Sequence, residues 1–91
     1  MIRLNCFVSV EKENREKVLE AAKRLTAASL KQDGCVAYDI FESATRPEVL
    51  MFCETWKDKV SLEAHSTSQV FQEEVAIINA HAQMKLESFE F

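Results

Sequence analysis

The chain has 91 residues, 47% of them apolar, and a formal charge of -4 in which eleven lysines and arginines are scattered rather than clustered. That length makes one domain, residues 1–91, and the dispersed basic residues leave no footprint for nucleic acid. No apolar stretch approaches the ~18 residues that mark a membrane span, and the N-terminal apolar run breaks at charged residues after Val10, so neither a membrane segment nor a signal peptide is expected.

Cys6, Cys35 and Cys53 each lie inside an apolar run, with no C-x-x-C and no zinc-type spacing. This predicts buried free thiols in a reducing cytoplasm. Six phenylalanines in so short a chain predict a core completed by a second copy, that is, a homodimer.

In chain order, Met1 to Val10 alternates as a strand, with Ile2, Leu4, Cys6, Val8 and Val10 opposite Arg3, Asn5, Phe7 and Ser9. Phe7 suggests that the second side is also covered. Asn5 then needs hydrogen-bond partners, unless its amide points into a cavity. Asn14 can cap a helix whose apolar positions are Val18, Ala21, Ala22 and Leu25, and Gly34, the only glycine, closes the turn after it. Cys35 to Phe41 reads as a strand with Cys35, Ala37, Asp39 and Phe41 on one side and Val36, Tyr38 and Ile40 on the other.

After a polar hairpin connection holding Pro47, the third strand runs from Val49 to Trp56, with Leu50, Phe52, Glu54 and Trp56 on one face. Both of its faces are largely apolar, which predicts a central strand. Asp58 is the natural N-cap of a short helix through Leu62 and His65. Ser66 to Ser68 weakens that helix, and a new one carries Phe71, Val75 and Ile78. Ala82 to Phe91 alternates as a last strand. The order predicts a split β-α-β-β-α-β fold: a four-stranded antiparallel sheet with helices on one face. Three strands apolar on both sides further predict two such sheets packed face to face across a dimer, with Phe7, Tyr38 and Phe52 lining the spaces between layers.

Residues able to carry chemistry are few. His65 and His81 lie on separate elements without metal-ligand spacing, so no metal is expected, and no glycine-rich loop could cradle phosphate. The group Glu54, Trp56 and His65 is more telling, because a carboxylate on an apolar strand face demands a partner. His65 can supply it, either as a structural hydrogen bond beneath a packing tryptophan or as an imidazole oriented to move a proton. Tyr38 can hydrogen-bond into the same space or serve as an amphipathic core residue.

Three stretches carry a resemblance: D-G-C-V-A-Y-D-I from Asp33 to Ile40, E-T-W-K-D from Glu54 to Asp58, and L-E-A-H-S-T-S from Leu62 to Ser68, followed by Phe71. With them the chain resembles, over nearly its whole length, the small antibiotic-biosynthesis-monooxygenase-type domains. These include quinol monooxygenases and the isomerase-like enzyme acting on the phosphorylated autoinducer-2 signal. The resemblance implies a ferredoxin-like dimeric α/β barrel and an oxygenase that needs no metal, haem or flavin. In such enzymes a phenolic or quinol-like substrate is deprotonated and its anion meets oxygen directly. It further implies His65 as acid and base, Glu54 as its orienter, Asn5 and Tyr38 as donors to a developing oxyanion, and Trp56, Phe71, Phe7 and Phe52 as pocket walls. Many relatives carry a second histidine where this chain has Val70. The expected function is therefore a cofactor-independent monooxygenase acting on a small phenolic or enolisable molecule. The alternatives are an isomerase of a small phosphorylated carbonyl compound and a dimeric binding domain without turnover.

Overall fold

The computed structural model describes residues 1–91. The elements are β1 (Ile2–Val10), a 3-10 turn (Lys12–Asn14), α1 (Arg15–Ser29), β2 (Cys35–Glu42), β3 (Val49–Trp56), α2 (Lys59–Thr67), α3 (Gln69–His81) and β4 (Ala82–Glu90). This is the ferredoxin-like split β-α-β-β-α-β order, with α2 and α3 together in the place of the second helix. The sheet is antiparallel with strand order β2-β3-β1-β4, so β3 and β1 are central.

Alternation in each strand decides what faces the helices. Leu4 lies opposite Glu54 and Cys6 opposite Phe52, while Tyr38 is paired with Glu54 from the other side. Leu4, Glu54 and Tyr38 therefore form one row across three strands on the helix-covered face. Val18, Ala21, Ala22 and Leu25 of α1 and Ile78 of α3 pack onto that face against Leu4, Val8, Leu50, Phe52 and Trp56. Each fully buried side chain of this size contributes roughly 1.5–3 kcal/mol. The alanines let α1 approach the strands closely.

The ends of the helices follow local chemistry. Asp58 accepts a hydrogen bond from the Ser61 N–H at 2.8 Å and caps α2. Ser68 has extended backbone between α2 and α3, and its hydroxyl accepts from the Phe71 N–H at 3.3 Å. Asn14 makes no side-chain cap: the preceding 3-10 turn, closed by its N–H to the Glu11 carbonyl at 3.0 Å, leaves its backbone near-helical rather than in the extended form a capping residue adopts.

Two expectations are corrected. A bulge shifts the β2 register between Cys35 and Ala37, so Cys35 pairs with Trp56 and joins the helix-facing side with Tyr38. Val36 is the extra residue and is turned into solvent, 57% exposed. The second correction concerns the dimeric α/β barrel. The sheet is open: β2 and β4 are its two edges and do not pair with each other. With β3 and β1 lying between them, the two edge strands have no closing partner, so the sheet forms no barrel. The helix-free face is also less apolar than the strand pattern implies. Phe7, Phe41 and Phe89 are exposed there among Arg3, Asn5, Asp39, Lys85 and Glu87.

Gly34 closes the corner between α1 and β2 at φ +80°. A Cβ there would sit 2.0 Å from Ser61 Oγ, and the Gly34 carbonyl accepts from the Lys57 N–H at 2.8 Å. Gly34→Ala is therefore expected to cost about 1–3 kcal/mol through the left-handed backbone and the collision with α2. Urea unfolding monitored by tryptophan fluorescence would check this, and an unchanged midpoint would contradict it.

Candidate active site

The site is built where β3 feeds α2. Strand alternation points Phe52, Glu54 and Trp56 toward the helices, and the first two turns of α2 bring His65 over them. A cavity of about 320 Å³ opens there between sheet and helices. Leu4, Cys6, Phe52, Tyr38 and Glu54 form its floor, while Leu25, Leu62, His65, Phe71, Val75, Met84 and Leu86 are among its walls. Its lining includes no lysine and no arginine. No group of three His, Cys, Asp or Glu side chains converges to hold a metal ion.

His65 is only 2% exposed and is boxed by rings. The Trp56 ring lies 4.5 Å away at 33°, and Tyr38 and Phe71 present their edges at 5.5 and 5.0 Å. Its Nδ1 is 2.7 Å from Gln32 Oε1. Its Nε2 is buried with no hydrogen-bond partner and stands 3.9 Å from Glu54 Oε1, outside hydrogen-bonding reach. Leaving such an atom unpaired costs about 1–3 kcal/mol. An atom of this kind beside a cavity is a place where a ligand can make the missing bond. Ser29 Oγ is the other buried polar atom without a partner.

Glu54 accepts from the Trp56 indole N–H at 2.8 Å. Desolvation by burial pushes its carboxyl above the ordinary value, and the Trp56 hydrogen bond opposes that rise. The Tyr38 phenol is held well above its usual range, mainly by desolvation and then by the neighbouring Glu54 carboxylate, so it stays a hydrogen-bond donor. Burial moves His65 the other way, down to about 4, which keeps the ring neutral at neutral pH. Cys6 is pushed up to about 11, mainly by burial, and stays a thiol.

The structure brings His65, Glu54, Tyr38, Phe52 and Phe71 to one cavity. Trp56 is fully buried behind His65 and is not part of the lining. Asn5 and Phe7 lie on the opposite, helix-free face of the sheet, Asn5 paired with Cys53 and Phe7 with Met51. Val70 is half-buried at the start of α3 and does not reach the lining. Gln32, which holds the histidine, was not indicated by the sequence. It lies in a turn 33 residues before its partner, where glutamine carries no local signal.

The chain matches the model of a family described as antibiotic biosynthesis monooxygenase over residues 1–76. It is 33% identical over 76 residues to the Bacillus subtilis protein YcnE, whose name describes a monooxygenase, covering 84% of this chain and 80% of that protein. A conserved Bacteroides thetaiotaomicron protein, described as a possible oxidoreductase, is 58% identical and superposes with a TM-score of 0.97 over 99% of this chain and 96% of that one. SnoaB, a cofactor-independent oxygenase from Streptomyces nogalater, superposes with a TM-score of 0.88 over 99% and 91% of the two chains. At 12% identity that likeness concerns the fold alone.

The lowered His65 value ties the site to stability. Between pH 6.5 and about 4 the unfolded chain binds a proton that the folded ring refuses, so stability present above 6.5 is lost as pH falls. The raised Glu54 carboxyl acts in the opposite sense, its folded form binding protons more readily than the unfolded one. Glu54 is common to the wild type and His65→Gln, so comparing the two isolates the histidine. Urea unfolding at pH 7 and 4.5 should show the wild type losing on the order of 2 kcal/mol more than the variant. Equal losses would mean that the ring titrates normally in the fold.

Proposed function

This chain belongs to the antibiotic biosynthesis monooxygenase family, and from that premise we propose that it is a cofactor-independent monooxygenase acting on a small, uncharged phenolic or quinol-like molecule. The observation that carries this reading is the buried, unpaired Nε2 of His65 facing Glu54 across an otherwise largely apolar cavity. A phenolic hydroxyl entering the cavity would donate to Nε2 and supply the missing bond.

Nε2 takes the phenolic proton, and the ring carbon of the resulting phenolate bonds to dioxygen. The imidazolium returns its proton to the peroxide so formed, and the hydroperoxide then loses its C–H proton as the O–O bond breaks, giving a quinone and water. The substrate supplies all four electrons: one oxygen atom ends in the quinone and the other in water. With a value near 4, His65 is a weak base toward a phenol. The step therefore depends on Glu54, whose carboxylate 3.9 Å from Nε2 stabilises the imidazolium as it forms. That attraction strengthens when an apolar ligand expels water. The neutral Tyr38 phenol is the donor for the developing oxyanion. Asn5 and Phe7, on the far face, have no part in this scheme.

The cavity lining without cations gives no support to a phosphorylated carbonyl substrate, whose phosphate would need neutralising. The proposal also takes the protein to be a homodimer, supported by the exposed Phe7, Phe41 and Phe89 on the helix-free face of the sheet. Sedimentation at micromolar concentration should give twice the chain mass, and Phe7→Lys should shift the population toward one chain. A wild-type protein that sediments as a single chain would remove the dimer.

Oxygen uptake by metal-free protein against simple quinols and naphthols, with product analysis, tests the activity. The expected rate falls on the acid side as His65 and Glu54 take up protons, and His65→Ala is expected to lose about 10²–10⁴-fold and the histidine-dependent limb. An alanine variant with the full rate and an unchanged pH profile would overturn the assignment of the base.

A further inference from the structure

A histidine beside a buried glutamate would ordinarily donate its Nε2–H to the carboxylate, and its lone pair on that side would be lost. Here a chain of hydrogen bonds from the α2–α3 corner prevents this. Ser68 Oγ lies 2.6 Å from the His65 carbonyl oxygen. At that distance the hydroxyl proton must point to the carbonyl, since two acceptors could not approach so closely. Having one proton to give, Ser68 Oγ is an acceptor toward its other neighbours, the Phe71 N–H at 3.3 Å and the Gln32 side-chain nitrogen at 3.3 Å. The Gln32 amide is thereby oriented with its nitrogen toward Ser68 and Oε1 toward the imidazole. An amide oxygen 2.7 Å from Nδ1 can only accept, so the proton of the neutral ring sits on Nδ1.

We infer that Gln32 is a positioning residue: with Ser68 fixing its amide, it holds His65 in the Nδ1–H tautomer and reserves Nε2 as a free lone pair facing Glu54 and the cavity. The 3.9 Å gap between Nε2 and Glu54 Oε1 follows from the same assignment, because two acceptors do not close to hydrogen-bonding distance. Gln32 is anchored on its other side as well. The Gly34 carbonyl two residues on accepts from Lys57 N–H, so the turn is held between β3 and α2. This inference rests on the reading of His65 as base, but the tautomer itself is independent of turnover.

The test is the ring tautomer of His65 in ¹⁵N-labelled protein, read at neutral pH from long-range nitrogen–proton correlations without ligand. Wild-type protein should show the proton on Nδ1. Gln32→Leu, lacking the acceptor, should move it to Nε2 and lower kcat about tenfold or more with little change in KM. Gln32→Glu keeps an acceptor and adds a charge. It should retain the Nδ1–H form, titrate at higher pH than the wild-type ring, and carry the acid limb of the rate profile with it. A wild-type ring protonated on Nε2, or a folded leucine variant still protonated on Nδ1, would overturn the inference. If Gln32→Leu does not fold, the wild-type spectrum and the glutamate variant decide. Correct tautomers in a protein that consumes no oxygen would sink the oxygenase reading and leave the positioning role standing.

Discussion

A carboxylate on the helix-facing side of a central strand sets the terms for everything around it. Glu54 lies among Leu4, Phe52, Tyr38 and Trp56, where an unpartnered charge would be costly by several kcal/mol. The Trp56 indole N–H, two residues along the same strand, meets part of that cost. The indole is thereby fixed in orientation, and its face becomes the platform on which the imidazole rests. Tyr38 lies beside the same carboxyl from the neighbouring strand and stays protonated, chiefly through its own burial and further through that neighbouring charge. His65 is then packed over an acidic group yet not bonded to it. The polarity of the cavity is thus concentrated on a few atoms, and its walls can be almost wholly apolar.

Much of the fold is written in local patterns. The bounds of β3, the Asp58 cap and the break near Thr67 follow from alternation, a capping carboxylate and a serine-threonine cluster that competes with helical hydrogen bonds. The bulge at Val36 could not be read in this way. Every residue from Cys35 to Ile40 suits a strand, and only the paired register tells which one is displaced. The barrel expectation failed for a related reason. Apolar residues on two faces say that both are partly shielded or tolerated, and they do not say that the edges of a sheet meet.

The site was legible where its members share an element or adjoin one. Glu54 and Trp56 are two residues apart on a strand, and His65 follows on the next helix. The position of Asn5 illustrates a conflict between two kinds of inference. Alternation in β1 puts it opposite Leu4 and Cys6, whereas the family resemblance draws it toward the histidine. The register decides for alternation. Gln32 was invisible because its role depends on a turn brought next to a helix far along the chain, and on a hydroxyl whose only proton is already committed.

That hydroxyl belongs to Ser68, which also caps α3. The first turn of α3 and the acid–base chemistry of the cavity therefore share one atom. Local opening of a helix end requires far less free energy than unfolding the core. Fraying at this corner would release the glutamine amide, let the imidazole exchange tautomers and pair with Glu54, while the sheet and its packed helix remained intact. On the proposed reading of His65 as base, the proton-accepting nitrogen could thus be lost without the molecule coming apart, and the order of a single helical turn would set how much of the population keeps it.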